Sequence, residues 1–286
     1  MAEQTKVAVL GLGIMGTAMA NRLLSHGFAV TVYNRSANKA EALAKLGAKV
    51  ARTPREAAAV SSIVLSMVAD DNAARGIWLG ADGALAGVKP GTILLECSTI
   101  TPDWVSELAA AAAKAGCQLL DAPVSGSKPQ AMAGELVFLV GGPEAALNQV
   151  RPVIEAMSKE IKYLGPGGSG AKMKLINNFM CAAQAVALAE SIVQIEKLGL
   201  NPEVAVSVLI GGAPASPFVK TAAARMMAKN YEPNFMLKLM AKDMRYAQAQ
   251  AGGMDICAAV IRTLERGIDA GYGDMDFSAL VEALRK

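Results

Sequence analysis

The chain has 286 residues, the length of about two ordinary domains, and its 28 Lys plus Arg against 25 Asp plus Glu leave a formal charge of +3. That excess is too small for nucleic acid or an anionic membrane to be the main partner. One histidine, His26, excludes a multi-histidine metal site, and four cysteines at 97, 117, 181 and 257 without a CxxC pair exclude structural zinc and point to a reducing, cytoplasmic setting with no metal.

Residues 6–10 (KVAVL) are a short apolar run, followed by Gly11, Gly13 and Gly16, a helix-like stretch to Ser25 stopped by Gly27, and the β-branched run Val30-Thr31-Val32-Tyr33. Strand, glycine turn, helix and strand make a βαβ unit of about 30 residues. Helical periodicity at 37–46 leads to a strand near 48–51, and a helix from Pro54 leads to a strand over Ile63–Met67. Further strands are predicted near 92–95, 118–121, 136–140 and 161–163, between alanine-rich helices. This alternation predicts a parallel, doubly wound α/β sheet. After the glycine-rich break at 165–170 the pattern is helical throughout: 171–197, ending at Gly199, then 202–210, 217–229, 235–251, 254–270 and 276–285. Two domains are expected, a Rossmann-type one over 1–165 and an all-helical one over 166–286, joined by the long helix.

No apolar run reaches, uninterrupted, the roughly 18 residues of a membrane span. The opening MAEQTK leads straight into a strand, unlike a signal peptide. The chain is 53% apolar but only 5% aromatic, so the core is expected to come from close-packed alanine-rich helices. Cys181 and Cys257 are expected to be core thiols, and Met226-Met227 helix packing.

Gly11-Leu12-Gly13-Ile14-Met15-Gly16 sits directly after a strand and opens a helix. The glycines allow a tight turn, close backbone approach to a pyrophosphate and close helix–strand packing, and the helix N-terminus faces the phosphates. The residue closing the second strand selects the dinucleotide. An acidic side chain there would bond the ribose 2′-hydroxyl and repel a 2′-phosphate. This chain has Asn34-Arg35-Ser36, in which Arg35 can clamp a 2′-phosphate and its neighbours can add hydrogen bonds, favouring NADP(H) over NAD(H).

Asp121-Ala122-Pro123-Val124-Ser125-Gly126-Ser127 lies at a strand's C-terminal end, where ligands bind in open α/β sheets, and Ser125 and Gly126 could offer a hydroxyl and amides to an anion. At the start of the long helix, Lys174 and Asn178 are four apart and share a face, while Lys172 points elsewhere. By pattern alone the first segment is also an ordinary turn and Lys174 also a surface residue.

Together with Gly168-Ser169-Gly170, Lys242-Asp243 ahead of Met244 and Ala247, and Ser98-Thr99 before Pro102, these motifs resemble the β-hydroxyacid dehydrogenase family across nearly the whole chain. The resemblance implies a nucleotide-binding domain before an all-helical one, with the catalytic lysine on the helix between them. Lys174 would then be the general acid in carbonyl reduction and the base in reverse, with its pKa lowered toward working pH by burial beside the nicotinamide. Asn178 would hold the substrate oxygen or orient the lysine. Ser125, Gly126 and Thr99 would bind the substrate carboxylate, with Phe235 beside the substrate. Met67, Val68, Ala69 and Thr99 would line the nicotinamide and ribose, and Lys242 would close over the cofactor with Asp243 as its partner.

Within the family, Asn34-Arg35-Ser36, Ser125–Lys128, Gly170–Leu175, Pro217-Phe218 and Phe235 are similar to the glyoxylate/succinic semialdehyde reductase branch. Pro129-Gln130-Ala131-Met132-Ala133 departs from that branch's charged residues, and Asn177-Asn178 and 239–243 look more like 3-hydroxyisobutyrate dehydrogenases. The expectation is NADPH-dependent reduction of glyoxylate or succinic semialdehyde, with 3-hydroxy acid oxidation as the alternative. Imine reduction and a non-catalytic scaffold rank behind these. Relatives of this kind imply a small carboxylate-bearing substrate and a homodimer or homotetramer.

Overall fold

The computed structural model describes residues 4–286, in two compact units, one extending to Lys174 and the other spanning Leu175–Lys286. The first unit is built on a nine-stranded sheet: β1 (Lys6–Leu10), β2 (Ala29–Tyr33), β3 (Lys49–Val50), β4 (Ile63–Ser66), β5 (Ile93–Glu96), β6 (Gln118–Asp121), β7 (Val124–Ser125), β8 (Leu136–Gly141) and β9 (Ser158–Gly165). Its order is β3-β2-β1-β4-β5-β6-β8-β7, with β9 paired to β8. The chain runs outward from β1 to β3 and then restarts at β4 on the other side of β1, so a topological switch point lies between β1 and β4.

The strands alternate between two cores. Val7, Val9, Leu65 and Leu95 join one buried cluster, and Ala8, Leu10, Val64 and Leu94 the other. Strands buried on both faces must be apolar at successive positions, which is why KVAVL and ILLE read as runs rather than alternations. The helices covering the faces are α1 (Ile14–Ser25), α2 (Glu41–Lys45), α3 (Pro54–Ala59), α4 (Asp71–Leu79), α5 (Pro102–Lys114), α6 (Lys128–Ala133) and α7 (Glu144–Glu155). Thr53, Asp70 and Thr101 cap α3, α4 and α5 through their side-chain oxygens, with Pro54 and Pro102 in the first turns.

Three details differ from the expected pattern. The segment 37–46 is a 3₁₀ turn, Ala37–Ala40, followed by the five-residue α2, because neither Ser36 nor Ala40 supplies a side-chain cap for a longer helix. The sheet is not wholly parallel, since β8 runs antiparallel to β6 and β7. A parallel return needs a crossover of about a dozen residues or more, and residues 126–135 hold only the short α6, closed by Gly134 in the left-handed region at φ 74°. The two-residue β7 has no periodicity to announce it, and β9 is longer than 161–163 because pairing with β8 extends along an otherwise exposed edge.

The long helix α8 (Ser169–Lys197) begins in the first unit and continues in the second. Its first turn packs with the sheet: Ala171 is buried in the same cluster as Ala8 and Leu94. It is long and apolar enough to cross a membrane by length and composition alone, the one such helix among the described residues. Its Leu175, Ala182, Ala185, Ala189 and Ile192 are core residues of the second unit.

That unit adds α9 (Pro202–Gly211), α10 (Pro217–Met227), α11 (Leu237–Ala251), α12 (Asp255–Gly267) and α13 (Leu280–Arg285), with a single π turn at Ile268–Tyr272 and a 3₁₀ turn at Phe277–Ala279. Gly199, at φ 70°, ends the long helix where expected. Asn201 and Ser216 cap α9 and α10 ahead of Pro202 and Pro217. Met226, Met240, Met244 and Cys257 are buried in this core; Cys181 is half-buried, and none of the four cysteines is in a disulfide.

Candidate active site

The loop after β1 is shaped by what a side chain would strike. Gly11 holds φ 97°, and a Cβ there would overlap the Met67 carbonyl oxygen; a Cβ on Gly16 would overlap the Gly11 carbonyl. These two glycines bring α1 hard against the ends of β1 and β4. Gly13 faces open space and stands at the N-terminus of α1, where no side chain caps the first amides and no acidic residue lies in the first turn. Such a terminus is a ready anion site, and with Leu12, Ile14 and Met15 around it the loop fits a dinucleotide pyrophosphate.

Asn34, expected from the sequence to bond a 2′-phosphate, turns its amide inward. Its Oδ1 accepts from the Leu12 N–H at 2.9 Å and its Nδ2 donates to the Ser36 carbonyl at 3.0 Å. It therefore splints the phosphate loop to the turn after β2, leaving Arg35 and Ser36 exposed on that turn. With no carboxylate at 34–36, the turn fits a phosphate-bearing ribose. His26, the C-cap of α1, is exposed, and its Nδ1 lies 2.8 Å from the Arg22 carbonyl.

Past β4, Met67 and Val68 are half-buried and Ala69 exposed. The Val68 N–H donates to Ser98 Oγ at 2.8 Å, which ties this segment to the residues preceding half-buried Thr99. Glu96, fully buried at the end of β5, accepts from the Ser98 N–H at 2.9 Å and from Trp78 Nε1 at 2.6 Å. Burial pushes its carboxyl above the ordinary range, and the bonds from Ser98 and Trp78 oppose that rise. Sequence reasoning missed Glu96; its only signal was a carboxylate closing the apolar strand ILLE.

Asp121 ends β6 in register with Glu96 and is 1% exposed. Its Oδ1 accepts from the Gly168 N–H at 2.8 Å and its Oδ2 from the Ala171 N–H at 2.9 Å. Burial raises its pKa, opposed by those amides. Four residues on, Ser125 is half-buried on β7, and Gly126 holds φ 116° with the Leu136 and Gln130 side chains where a Cβ would go. A reciprocal capping box between Ser127 and Gln130 then starts α6, and this explains Gln130, which the sequence left without a role. Lys174 stands half-buried in the second turn of α8, and Lys172 is exposed.

In the second unit, Asn178 is 4% exposed and its Nδ2 donates to Asp243 Oδ2 at 2.6 Å. Its Oδ1 accepts from Asn177 Nδ2 at 3.1 Å. Lys242 Nζ lies 3.0 Å from Asp243 Oδ1 and 4.9 Å from the centre of the Tyr246 ring, so Asp243 joins Asn178 to Lys242. Phe235 meets Phe277 edge-on at 6.4 Å, and its N–H donates to Asp276 Oδ2 at 3.1 Å. Asp276, wholly buried, also accepts from the Asn234 and Ser278 amides, Ser278 Oγ and Arg225 Nε. Sequence reasoning missed this hub, because its donors from Arg225, Asn234 and Phe235 lie more than 40 residues away in the chain. Among the described residues no cluster of His, Cys, Asp or Glu is placed to hold a metal ion.

Residues 6–165 match the family described as the NAD binding domain of 6-phosphogluconate dehydrogenase, and residues 168–284 that described as the NAD-binding domain of NADP-dependent 3-hydroxyisobutyrate dehydrogenase. Glyoxylate/succinic semialdehyde reductase 1 of Arabidopsis thaliana is 35% identical, covering 98% of each chain. An NAD-dependent L-serine dehydrogenase of Pseudomonas aeruginosa is 35% identical over 96% of each. A Mycobacterium tuberculosis 3-hydroxyisobutyrate dehydrogenase solved with L-serine is 32% identical, with a TM-score of 0.88 over 99% of this chain and 100% of that one.

Proposed function

The chain belongs to the β-hydroxyacid dehydrogenase (3-hydroxyisobutyrate dehydrogenase-like) family of oxidoreductases acting on CH–OH with a nicotinamide cofactor, and on that premise we propose that it uses NADPH to reduce glyoxylate or succinic semialdehyde to the hydroxy acid. The observation that carries the cofactor in this reading is the turn after β2, where no carboxylate stands to repel a 2′-phosphate and Arg35 is exposed to receive one, and the choice of substrate draws on the Arabidopsis reductase.

When bound, NADPH supplies the hydride. Lys174 donates a proton from its ammonium to the carbonyl oxygen and takes it back in the reverse direction. The one histidine supports this assignment by elimination, since His26 is spent at the exposed end of α1. Asn178, its amide aimed by Asp243, holds the substrate oxygen or orients the lysine. Ser125, Gly126 and Thr99 bind the carboxylate, Phe235 flanks the substrate, and Lys242 closes over the cofactor. Gly11, Leu12, Gly13, Ile14, Met15 and Gly16 carry the pyrophosphate, and Met67, Val68 and Ala69 face the nicotinamide and ribose. This reading takes the enzyme to be cytoplasmic and a homodimer or homotetramer.

A second reading, oxidation of a 3-hydroxy acid, draws on the Pseudomonas and Mycobacterium relatives and on Asn177-Asn178 and residues 239–243. Initial rates separate the two: NADPH with glyoxylate, succinic semialdehyde and methylmalonate semialdehyde, against NADP with 3-hydroxyisobutyrate and L-serine. Turnover of glyoxylate or succinic semialdehyde is expected, and Lys174→Ala should turn over about 10²–10⁴-fold more slowly while NADPH affinity stays near normal. Absence of turnover with both aldehyde acids overturns the proposal, and a fully active Lys174→Ala removes the lysine from its role.

A further inference from the structure

We propose that Asp121 is the positioning residue of the reaction, holding the start of α8 so that Lys174 points at its proton acceptor; the inference rests on Lys174 being the proton donor. The carboxylate reaches 47 and 50 residues along the chain to accept from the Gly168 and Ala171 N–H groups, at 2.8 and 2.9 Å. Two bonds to amides three residues apart fix both the height of the first turn and its rotation about the helix axis. Ala171 and Lys174 are three apart on α8 and share a face, so the rotation that Asp121 sets at Ala171 is the rotation at which Lys174 leaves the helix.

The anchor itself is held by the sheet. Asp121 is registered against Glu96 in β5 and Gly141 in β8. A Cβ on Gly141 would lie 2.6 Å from Asp121 Oδ1, and one on Gly170 would lie 2.6 Å from the Asp121 carbonyl oxygen and 2.9 Å from Oδ2. Those glycines bring strand and helix together around the carboxylate. The segment that follows immediately carries Ser125, so one stretch of backbone sets the position of both the proposed carboxylate-binding hydroxyl and the proton donor's helix.

Stability alone does not call for such a device. Elsewhere in this chain Thr53, Asp70, Thr101, Asn201 and Ser216 cap helices from the adjacent position in sequence. Asp121 does the equivalent work from the sheet while 1% exposed, where an ionised group loses its hydration. The costlier arrangement adds location: it references the helix to the sheet.

Asp121→Asn tests this. It keeps the volume, but its amide oxygen can serve only one of the two N–H groups, and the NH₂ opposes the other. The expected result is a 10- to 100-fold slower turnover, with KM and NADPH affinity changed less than threefold. Amide hydrogen exchange should quicken in peptides covering 168–176 and stay unchanged over 102–114. Because Asp121→Ala can fail to fold, the conclusion is drawn on Asp121→Asn, with its melting temperature measured alongside. Turnover within twofold of wild type overturns the proposal. So does unchanged exchange over 168–176, or faster exchange throughout the first unit with weakened NADPH binding. The exchange measurement uses no substrate, so a wild type inactive on the aldehyde acids would sink the proposed reaction while this arm still decides the anchor.

Discussion

At the scale of single residues, the clearest division is between side chains that face outward with a charge and those that are spent inside. Arg35 is exposed on the turn after β2, whereas Asn34 is committed to Leu12 and Ser36. Losing a charge-assisted bond to phosphate costs about 1.5–3 kcal/mol, so Arg35→Ala is expected to lower the NADPH-to-NADH preference, measured as the ratio of the two kcat/KM values, about 10- to 100-fold. An unchanged ratio would show that Arg35 does not read the 2′-phosphate. Arg35 is legible in sequence as a candidate, because its position just past the second strand marks it and the structure leaves it exposed there. Asn34 is only half legible: its position says dinucleotide, but the direction of its amide depends on Leu12, 22 residues earlier. Glu96 and Asp276 are illegible for the same reason in stronger form, since a lone carboxylate in sequence does not reveal donors from Trp78 or Arg225.

Elements are set by local chemistry, and their pairing is not. The glycine loop distinguishes two kinds of requirement. A Cβ on Gly16 would overlap the Gly11 carbonyl, so Gly16→Ala forces α1 off the sheet and is expected to cost about 1–3 kcal/mol, read as a lower melting temperature. Gly13 faces open space, so Gly13→Ala should leave the melting temperature nearly unchanged and weaken only cofactor binding, measured by titration. Equal losses of stability in both variants would refute the distinction. The strands and their helices followed from apolar runs and breakers such as Gly27, Gly199 and the prolines opening α3, α5, α9 and α10. The antiparallel direction of β8 did not, because it turns on how far residues 126–135 can carry the chain.

At the scale of the molecule, each unit closes its own core, and the second is tied at its C-terminal end by charge. Arg285 bonds Glu196 with Nε at 3.0 Å and Nη2 at 2.5 Å, and Glu282 with Nη1 at 2.6 Å; Tyr231 donates to Glu282 at 2.5 Å. Arg285 holds the Glu196 carboxyl below its ordinary value. A depressed carboxylate stabilises the fold above its unfolded pKa of about 4.3 and loses that contribution as pH falls through the folded value. Arg285→Ala is therefore expected to cost about 1 kcal/mol at pH 7 and almost nothing near pH 3, in urea unfolding at the two pH values. A loss equal at both would assign Arg285 to packing instead. Glu96 and Asp121 run the other way: their raised values mean that ionisation costs stability as pH rises through them. Composition and periodicity were enough to establish most of the order of elements and the glycine loop. These are properties of neighbours in the chain, fixed by the period of a strand or helix and by the conformations that Gly and Pro allow. The reach of Asp121 to α8, the inward amide of Asn34 and the reversal at β8 join positions up to 50 residues apart. Folding alone brings such groups within 3 Å, and no local pattern encodes which of the chain's amides will meet a given carboxylate.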